Sequence, residues 1–409
     1  MTRALGLAAA FLVAGAAALP GQTKVRARAL GVPFDGTPGR YNAITDVAGV
    51  EVGHTTLISG TGRLQVGKGP VRTGVTAVLP RGKASFDPVF AAWFSLNGNG
   101  EMTGTTWIDE SGFLEGPVLI TNTHSVGTVR DATIDWMLRR GASFLWALPV
   151  VAETWDGVLN DINGFHVKPR HVALALDSAS SGPVREGAVG GGTGMICNGL
   201  KGGIGTSSRK LAEDAGSYTV GVLVQCNYGS RRGLRIAGAP VGQELAEPTL
   251  CAAGKEPPSQ AFLRDLEPCG RPGASAERPQ PEGGSIIIVV ATDAPLLPHQ
   301  LARLVKRAAL GLGREGSIAS NFSGDIFLAF STANARAARD SALASLEMLP
   351  NERLDPLFAA TVQATEEAVT NSMVAAETMT GADDVRSIAL PHDRLREILR
   401  KYHRLVPAP

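Results

Sequence analysis

Ser285 stands where a hydroxyl nucleophile is easily built. Glu282-Gly283-Gly284-Ser285 runs straight into Ile286-Ile287-Ile288-Val289-Val290-Ala291. The serine therefore takes the first position of a segment that reads as a fully buried strand, with two glycines before it. Two readings fit this pattern. In one, Gly-Gly-Ser merely ends a loop. In the other the chain cuts itself: the Ser285 hydroxyl attacks the Gly284 carbonyl, the resulting ester hydrolyses, and Ser285 becomes a new chain terminus. Gly284 suits that step, because a residue without Cβ tolerates strained backbone and leaves its carbonyl open to attack. Cleavage would also supply a base, since a free α-amino group has a pKa near ~7.7 and can activate a hydroxyl.

Such a nucleophile needs partners, and Asn321-Phe322-Ser323-Gly324-Asp325-Ile326-Phe327 offers two. Alternation along an extended segment puts Ser323 and Asp325 on one face, where the carboxylate can orient a hydroxyl that in turn contacts the nucleophile. An Asx-type turn before a strand explains the same residues. A third candidate is Asn227, at the end of the apolar run 219–225. Its amide can donate to a developing oxyanion, although Asn-Tyr-Gly is equally a turn.

Competing chemistries fare worse. Gly311-Leu-Gly313-Arg-Glu-Gly316 matches GxGxxG but follows a helical pattern rather than a strand, so it reads as a helix C-cap and not as a dinucleotide site. There is no GxSxG, HExxH or GxxxxGK[ST], which removes the usual serine-hydrolase, zinc-protease and P-loop readings. The seven histidines are dispersed; His124, just before a helical pattern, is the one most like a classical base, and capping or packing accounts for it. Four cysteines show no CxxC or Cys/His metal spacing, so no metal site is expected. Cys251 and Cys269 flank a polar, Pro-rich loop whose closure would contribute about 3 kcal/mol, and a disulfide is expected there. Cys197 and Cys226 lie in apolar surroundings that suit buried free thiols.

The elements that must position these residues alternate along the chain. Strands are expected at 75–79, 118–121, 144–151, 172–176, 219–225, 285–291 and 326–330, each rich in β-branched or apolar residues. Helical periodicity appears at 126–140, 298–312 and 355–379. The one clear break, 247–284, is polar, Pro/Gly-rich and long for a connection. It reads either as an interdomain linker or as the place where something happens.

Composition sets the outer bounds. A chain of 409 residues, 44% hydrophobic and 19% charged, is globular and long enough for a sizeable core. Its 39 basic and 38 acidic residues leave a net charge of +1 with no extended basic run, so nucleic acid is not an expected partner. Arg3, the uncharged stretch from Ala4 to Leu19 and the following small residues fit a secretory signal spanning about residues 1–22. The mature protein is then expected in a periplasm or secreted, with no membrane span.

Six strings carry a family resemblance: LNGNGEMTGTTWIDESG (96–112), VLITNTHSVG (118–127), VVAETWDGVLNDING (150–164), GTGMICNGLKGGIGTSSR (192–209), GSIIIVVATDAPLLPHQL (284–301) and EEAVTNSMVAAETMTG (366–381). Together they resemble the DmpA family of self-processing L-aminopeptidase/D-esterases and β-aminopeptidases, in consistent order from about residue 28 to 400. The resemblance implies an α/β fold, an αββα sandwich like that of N-terminal-nucleophile hydrolases with different connectivity. It implies cleavage between Gly284 and Ser285, giving an α chain, 23–284, and a β chain, 285–409, intertwined in one catalytic domain. By position, Ser285 would be nucleophile and N-terminal amine, Ser323 and Asp325 its supporting network, and Asn227 the oxyanion donor. Glu153 and Trp155 would line the substrate pocket, Glu153 suited to a substrate ammonium. Some family members have Tyr where this chain has Trp155, which leaves no phenol there to act.

The expected activity is removal of N-terminal aminoacyl or β-aminoacyl residues from short peptides, amides or esters, through an acyl-enzyme and without a cofactor. A homotetramer of αβ units is the expected assembly. The region between Cys251 and Cys269 is longer than in the family pattern. Two alternatives stand beside this reading: a secreted binding protein that kept the fold and lost the chemistry, and an acyltransferase of the ornithine acetyltransferase type. The latter ordinarily uses Thr where this chain has Ser285.

Overall fold

The computed structural model describes residues 24–245, 250–270, 283–339 and 343–408; the expected signal segment, 1–22, lies outside them. Two sheets face one another. The first contains β1 (Glu51–Ser59), β2 (Val71–Leu79), β5 (Val118–Asn122) and β6 (Val150–Thr154) in the order β1-β2-β5-β6. The second contains β3 (Val89–Gly98), β4 (Phe113–Leu114), β9 (Gly203–Lys210), β10 (Thr219–Asn227), β12 (Gly283–Thr292) and β13 (Phe322–Ser331), in the order β4-β3-β13-β12-β10-β9. Two small sheets complete the set: the hairpin of β7 (Ile196–Cys197) with β8 (Leu200–Lys201), and β11 (Leu250–Ala252) with β14 (Met379–Thr380) and β15 (Val385–Ser387).

Three apolar layers hold the stack together, and β12 shows how. Ile286, Ile288 and Val290 pack with Leu301, Leu304 and Leu357 of the helical layer. The alternate residues Ile287, Val289 and Ala291 pack with Val52, Val78 and Ile120 of the facing sheet. The run is apolar throughout because both of its faces are covered. On the far side of the first sheet, Val75, Leu119 and Val151 meet Val129 and Trp136 of helix Val126–Arg139 and Val172 of helix Pro169–Asp177. The architecture is the αββα sandwich that the resemblance implied.

Several local expectations are corrected. Residues 172–176 form no strand but lie in helix Pro169–Asp177, which buries Val172, Ala175 and Leu176. That spacing is helical, and Pro169 opens the first turn. Of 144–151 only Val150 and Val151 join a strand, while Leu145 and Trp146 are exposed. The helical stretch 298–312 is two helices, Pro298–Val305 and Ala308–Arg314, and Gly311 and Gly313 lie within the second, with only Gly316 following it. The helix begun at Asp355 ends at Val374, short of Met379, which joins β14.

Cys197 and Cys226 are not free thiols. They form a disulfide, because the hairpin of β7 and β8 folds back beside the end of β10 and brings positions 29 apart in sequence to a Cα separation of 5.4 Å. The expected Cys251–Cys269 disulfide is formed. Nor do the described residues of 247–284 behave as an interdomain linker: β11 pairs with β15, and Leu263 is buried with Leu159 and Val385.

Candidate active site

Strand direction assembles the site. β12 runs antiparallel to β10 and parallel to β13, so the end of β10 and the beginnings of β12 and β13 meet at one edge. Register then aligns Asn227 with Ser285, Ser285 with Gly324, and Gly284 with Ser323. Residues 58 and 39 positions from Ser285 in sequence, Asn227 and Gly324, thus become its immediate neighbours.

Gly284 has φ +111°, and a Cβ there would stand 1.8 Å from the Asn227 carbonyl oxygen. Only glycine lets the two backbones approach so closely in this conformation. Gly324 is a second such point: a Cβ on it would lie 2.9 Å from Ser285 Oγ and 2.2 Å from the Asn99 carbonyl. Glycine thereby leaves space beside the hydroxyl.

The Asn227 amide is oriented at both ends. Its Oδ1 accepts from the Ile196 N–H at 2.8 Å, and its Nδ2 donates to the Trp155 carbonyl at 2.9 Å. Paired strand residues project to the same face, so Asn227 and Ser285 share the face turned towards the first sheet, where Ile287 also packs. Beneath them Gln225, fully buried, donates from Nε2 to the Thr121 carbonyl and to Thr154 Oγ1, tying β10 to β5 and β6.

Ser323 and Asp325 share a face, and Ser323 Oγ donates to Asp325 Oδ1 at 2.6 Å in a fully buried setting. That face is the opposite one. Asp325 pairs with Ile286, which packs against the helices, whereas Ser285 projects with Ile287 between the sheets. The Ser323–Asp325 pair therefore flanks the Gly284–Ser285 backbone rather than the Ser285 hydroxyl.

Glu153 approaches from β6. A Cβ on Gly100 would lie 3.2 Å from Glu153 Oε1 and 3.6 Å from Gly324 Cα, so the thin backbones of Gly100 and Gly324 separate this carboxylate from Ser285. Its Oε1 accepts from the Glu101 N–H at 2.9 Å, and Oε2 accepts from Thr123 Oγ1. Burial raises the Glu153 pKa above its ordinary 4.5, and the hydrogen bonds from Thr123 and Glu101 partly oppose that shift. Trp155 is exposed, its ring 5.9 Å from that of Phe262. Among the described residues, no group of three or more His, Cys, Asp or Glu is placed to hold a metal ion.

Sequence reasoning missed four participants: the Ile196 N–H, Gln225, Thr123 and Phe262. The first is a backbone group, and the others carry no motif. Only their partners reveal them.

This geometry offers a hydroxyl near the start of a central strand, an oriented amide on the same face, and a buried carboxylate across two glycines. Residues 42–387 match the model of peptidase family S58. The β-peptidyl aminopeptidase BapA of Sphingosinicella microcystinivorans is 57% identical over 401 residues, covering 98% of this chain and 97% of that protein. Among solved structures, the L-aminopeptidase D-Ala-esterase/amidase of Ochrobactrum anthropi aligns with a TM-score of 0.81 at 48% identity, covering 93% of this chain and 99% of its own. It is described as a prototype for the serine aminopeptidases and a variant of the Ntn-hydrolase fold. A Burkholderia β-aminopeptidase aligns with a TM-score of 0.78 at 45% identity, covering 92% of this chain and 99% of its own. With two-layer sheet stacking, the conjunction of Ser285 and Asn227 and these likenesses all in agreement, the chain belongs to peptidase family S58 and is a serine aminopeptidase of the DmpA type.

Proposed function

We propose that the chain cleaves itself between Gly284 and Ser285 and then acts as a β-aminopeptidase through the new N-terminal serine. The observation that carries this reading is the pairing of Asn227 with Ser285 beside a Gly284 held at φ +111°. In processing, Ser285 Oγ bonds to the Gly284 carbonyl carbon while the C–N bond breaks, and the nitrogen takes the hydroxyl proton. Water then hydrolyses the ester, leaving a Gly284 carboxylate and a Ser285 α-amine.

In turnover the α-amine takes the proton from Ser285 Oγ as that oxygen attacks the substrate carbonyl. The Asn227 amide donates to the oxyanion, and the Ser323–Asp325 pair, on the backbone side of Ser285, holds the amine. The departing amine takes the proton, and water frees the acyl group by the reverse proton path. Glu153 binds the substrate's terminal ammonium, which makes the enzyme an exopeptidase. Preference for β-aminoacyl residues follows the relative at 57% identity, a β-peptidyl aminopeptidase.

Two extensions belong to the same reading. Residues 1–22 act as a secretory signal into the periplasm, which accords with two disulfides in the described residues. The αβ units assemble as a homotetramer, which accords with the exposure of Ile318 and Phe322.

Intact mass under denaturing conditions tests the mechanism. Starting near residue 22, the wild type should give pieces of about 27 and 13 kDa, scaled from 42.5 kDa for 409 residues, and Ser285→Ala one uncut chain. Processed protein should hydrolyse β-alanyl p-nitroanilide. A folded wild type that stays uncut, or a processed one that turns over no α- or β-aminoacyl amide, overturns the reading.

A further inference from the structure

The segment between Cys251 and Cys269 is bound to the very residues that hold the Asn227 amide. Asn227 is held by the Trp155 carbonyl and the Ile196 N–H. The Trp155 ring meets Phe262, and the Ile196 side chain packs in the cluster of Leu159, Leu263 and Val385. The segment thus packs against the residues on both sides of the amide.

It is also held firmly. The disulfide closes its base and β11 pairs with β15. Ser259 donates from N and Oγ to Asp383 Oδ2 at 2.9 and 2.6 Å, and Gln260 Nε2 donates to the Gly157 carbonyl at 3.0 Å. Phe262 lies between Gln260, tied to Gly157, and the buried Leu263. Its backbone has little freedom, yet its ring is 62% exposed and inclined at 53° to that of Trp155, itself 37% exposed. Two aromatic rings set against each other next to the carbonyl that holds Asn227, with no apolar cover among the described residues, form a surface an apolar group would fill.

We infer that Phe262 is a specificity-determining residue, forming with Trp155 an aromatic wall for the side chain of the substrate's N-terminal residue. This rests on the proposed function. The ammonium of that residue goes to Glu153, two positions from Trp155, and its carbonyl goes to Ser285 beside Asn227, so its side chain is the part that reaches this wall. The favoured substrates are then aminoacyl or β-aminoacyl amides with an aromatic or branched aliphatic side chain. Those with no side chain make no use of the wall.

The test compares kcat/KM for β-homophenylalanyl and β-alanyl p-nitroanilides in processed wild type, Phe262→Ala and Phe262→Leu. Loss of an apolar contact costs about 10-fold or more in discrimination. Phe262→Ala should therefore lose about 10-fold on the β-homophenylalanyl substrate and less than about 2-fold on the β-alanyl one, with Phe262→Leu between. The β-homophenylalanyl loss should persist when the leaving amine is changed. An unchanged ratio, an equal loss on both substrates, or a loss that follows the leaving amine overturns the inference while leaving the proposed function standing. A wild type that hydrolyses neither substrate overturns both.

Discussion

Asn227 and Ser285 are cross-strand partners, the last residue of β10 facing the third of β12, on the face turned towards the first sheet. An amide locked by Ile196 and Trp155 thereby stands beside a hydroxyl that the chain places 58 residues later. Neither residue can shift without dragging a strand paired on both sides.

Asn227→Ala should lower kcat by about 10²–10³-fold with little change in KM, the usual cost of removing one oxyanion donor. Steady-state kinetics on processed protein checks this. A KM effect alone would place Asn227 in ground-state binding instead. The proposed self-cleavage should slow as well, because attack on the Gly284 carbonyl would develop an oxyanion in the same place.

Gly284→Ala should leave the chain uncut. The added Cβ would fall 1.8 Å from the Asn227 carbonyl at a φ of +111° that L side chains rarely adopt, so β12 must move off β10 and the alignment with Asn227 is lost. Mass spectrometry over time, alongside circular dichroism to show a folded chain, reads the outcome. Cleavage at the wild-type rate would show that the close approach is dispensable.

Glu153 should set the acid limb of kcat/KM. Burial raises its pKa above 4.5, so a carboxylate that binds the substrate ammonium, as proposed, is lost as pH falls through that raised value. The limb should lie above pH 4.5 in the wild type. In Glu153→Gln it should vanish, with kcat/KM low at every pH and the loss mainly in KM. A limb unchanged in the variant would assign the titration elsewhere.

Asp156, fully buried next to Trp155, faces Thr73, Asn122 and Asn160, and burial raises its pKa from 3.8 to about 7. A raised carboxyl pKa means the folded state holds its proton more tightly than the unfolded chain. Its contribution to stability is full below pH 3.8, is lost as pH rises towards about 7, and is flat above. Asp156→Asn removes that loss. Measured by urea unfolding at pH 4 and pH 8, the stability lost between the two should be smaller in the variant by a few kcal/mol, on the order of 1.4 per pKa unit.

Some of this site was legible without a structure. Two glycines and a serine ahead of an apolar run marked Ser285, and a two-residue spacing put Ser323 and Asp325 on one face, because both are local properties of an extended chain. The resemblance extended that reading to the family and its sandwich. Local pattern also misled: the apolar residues of 172–176 serve a helix stripe equally well, and short apolar runs do not distinguish the two periods.

What only the tertiary structure decided were relations across strands. Register and strand direction are set by packing of residues far apart in sequence, so nothing local says that Ser285 projects between the sheets while Ser323 and Asp325 project towards the helices. The same holds for Glu153, brought near Ser285 because Gly100 and Gly324 are thin enough to let their backbones pass. It holds for Cys197, which reads as an isolated thiol until a hairpin carries it to Cys226. And it holds for Phe262, whose significance lies entirely in the ring of Trp155 that it meets. The chemistry resides in residue types that the sequence spells out, and the site in contacts that only the closing of two sheets creates.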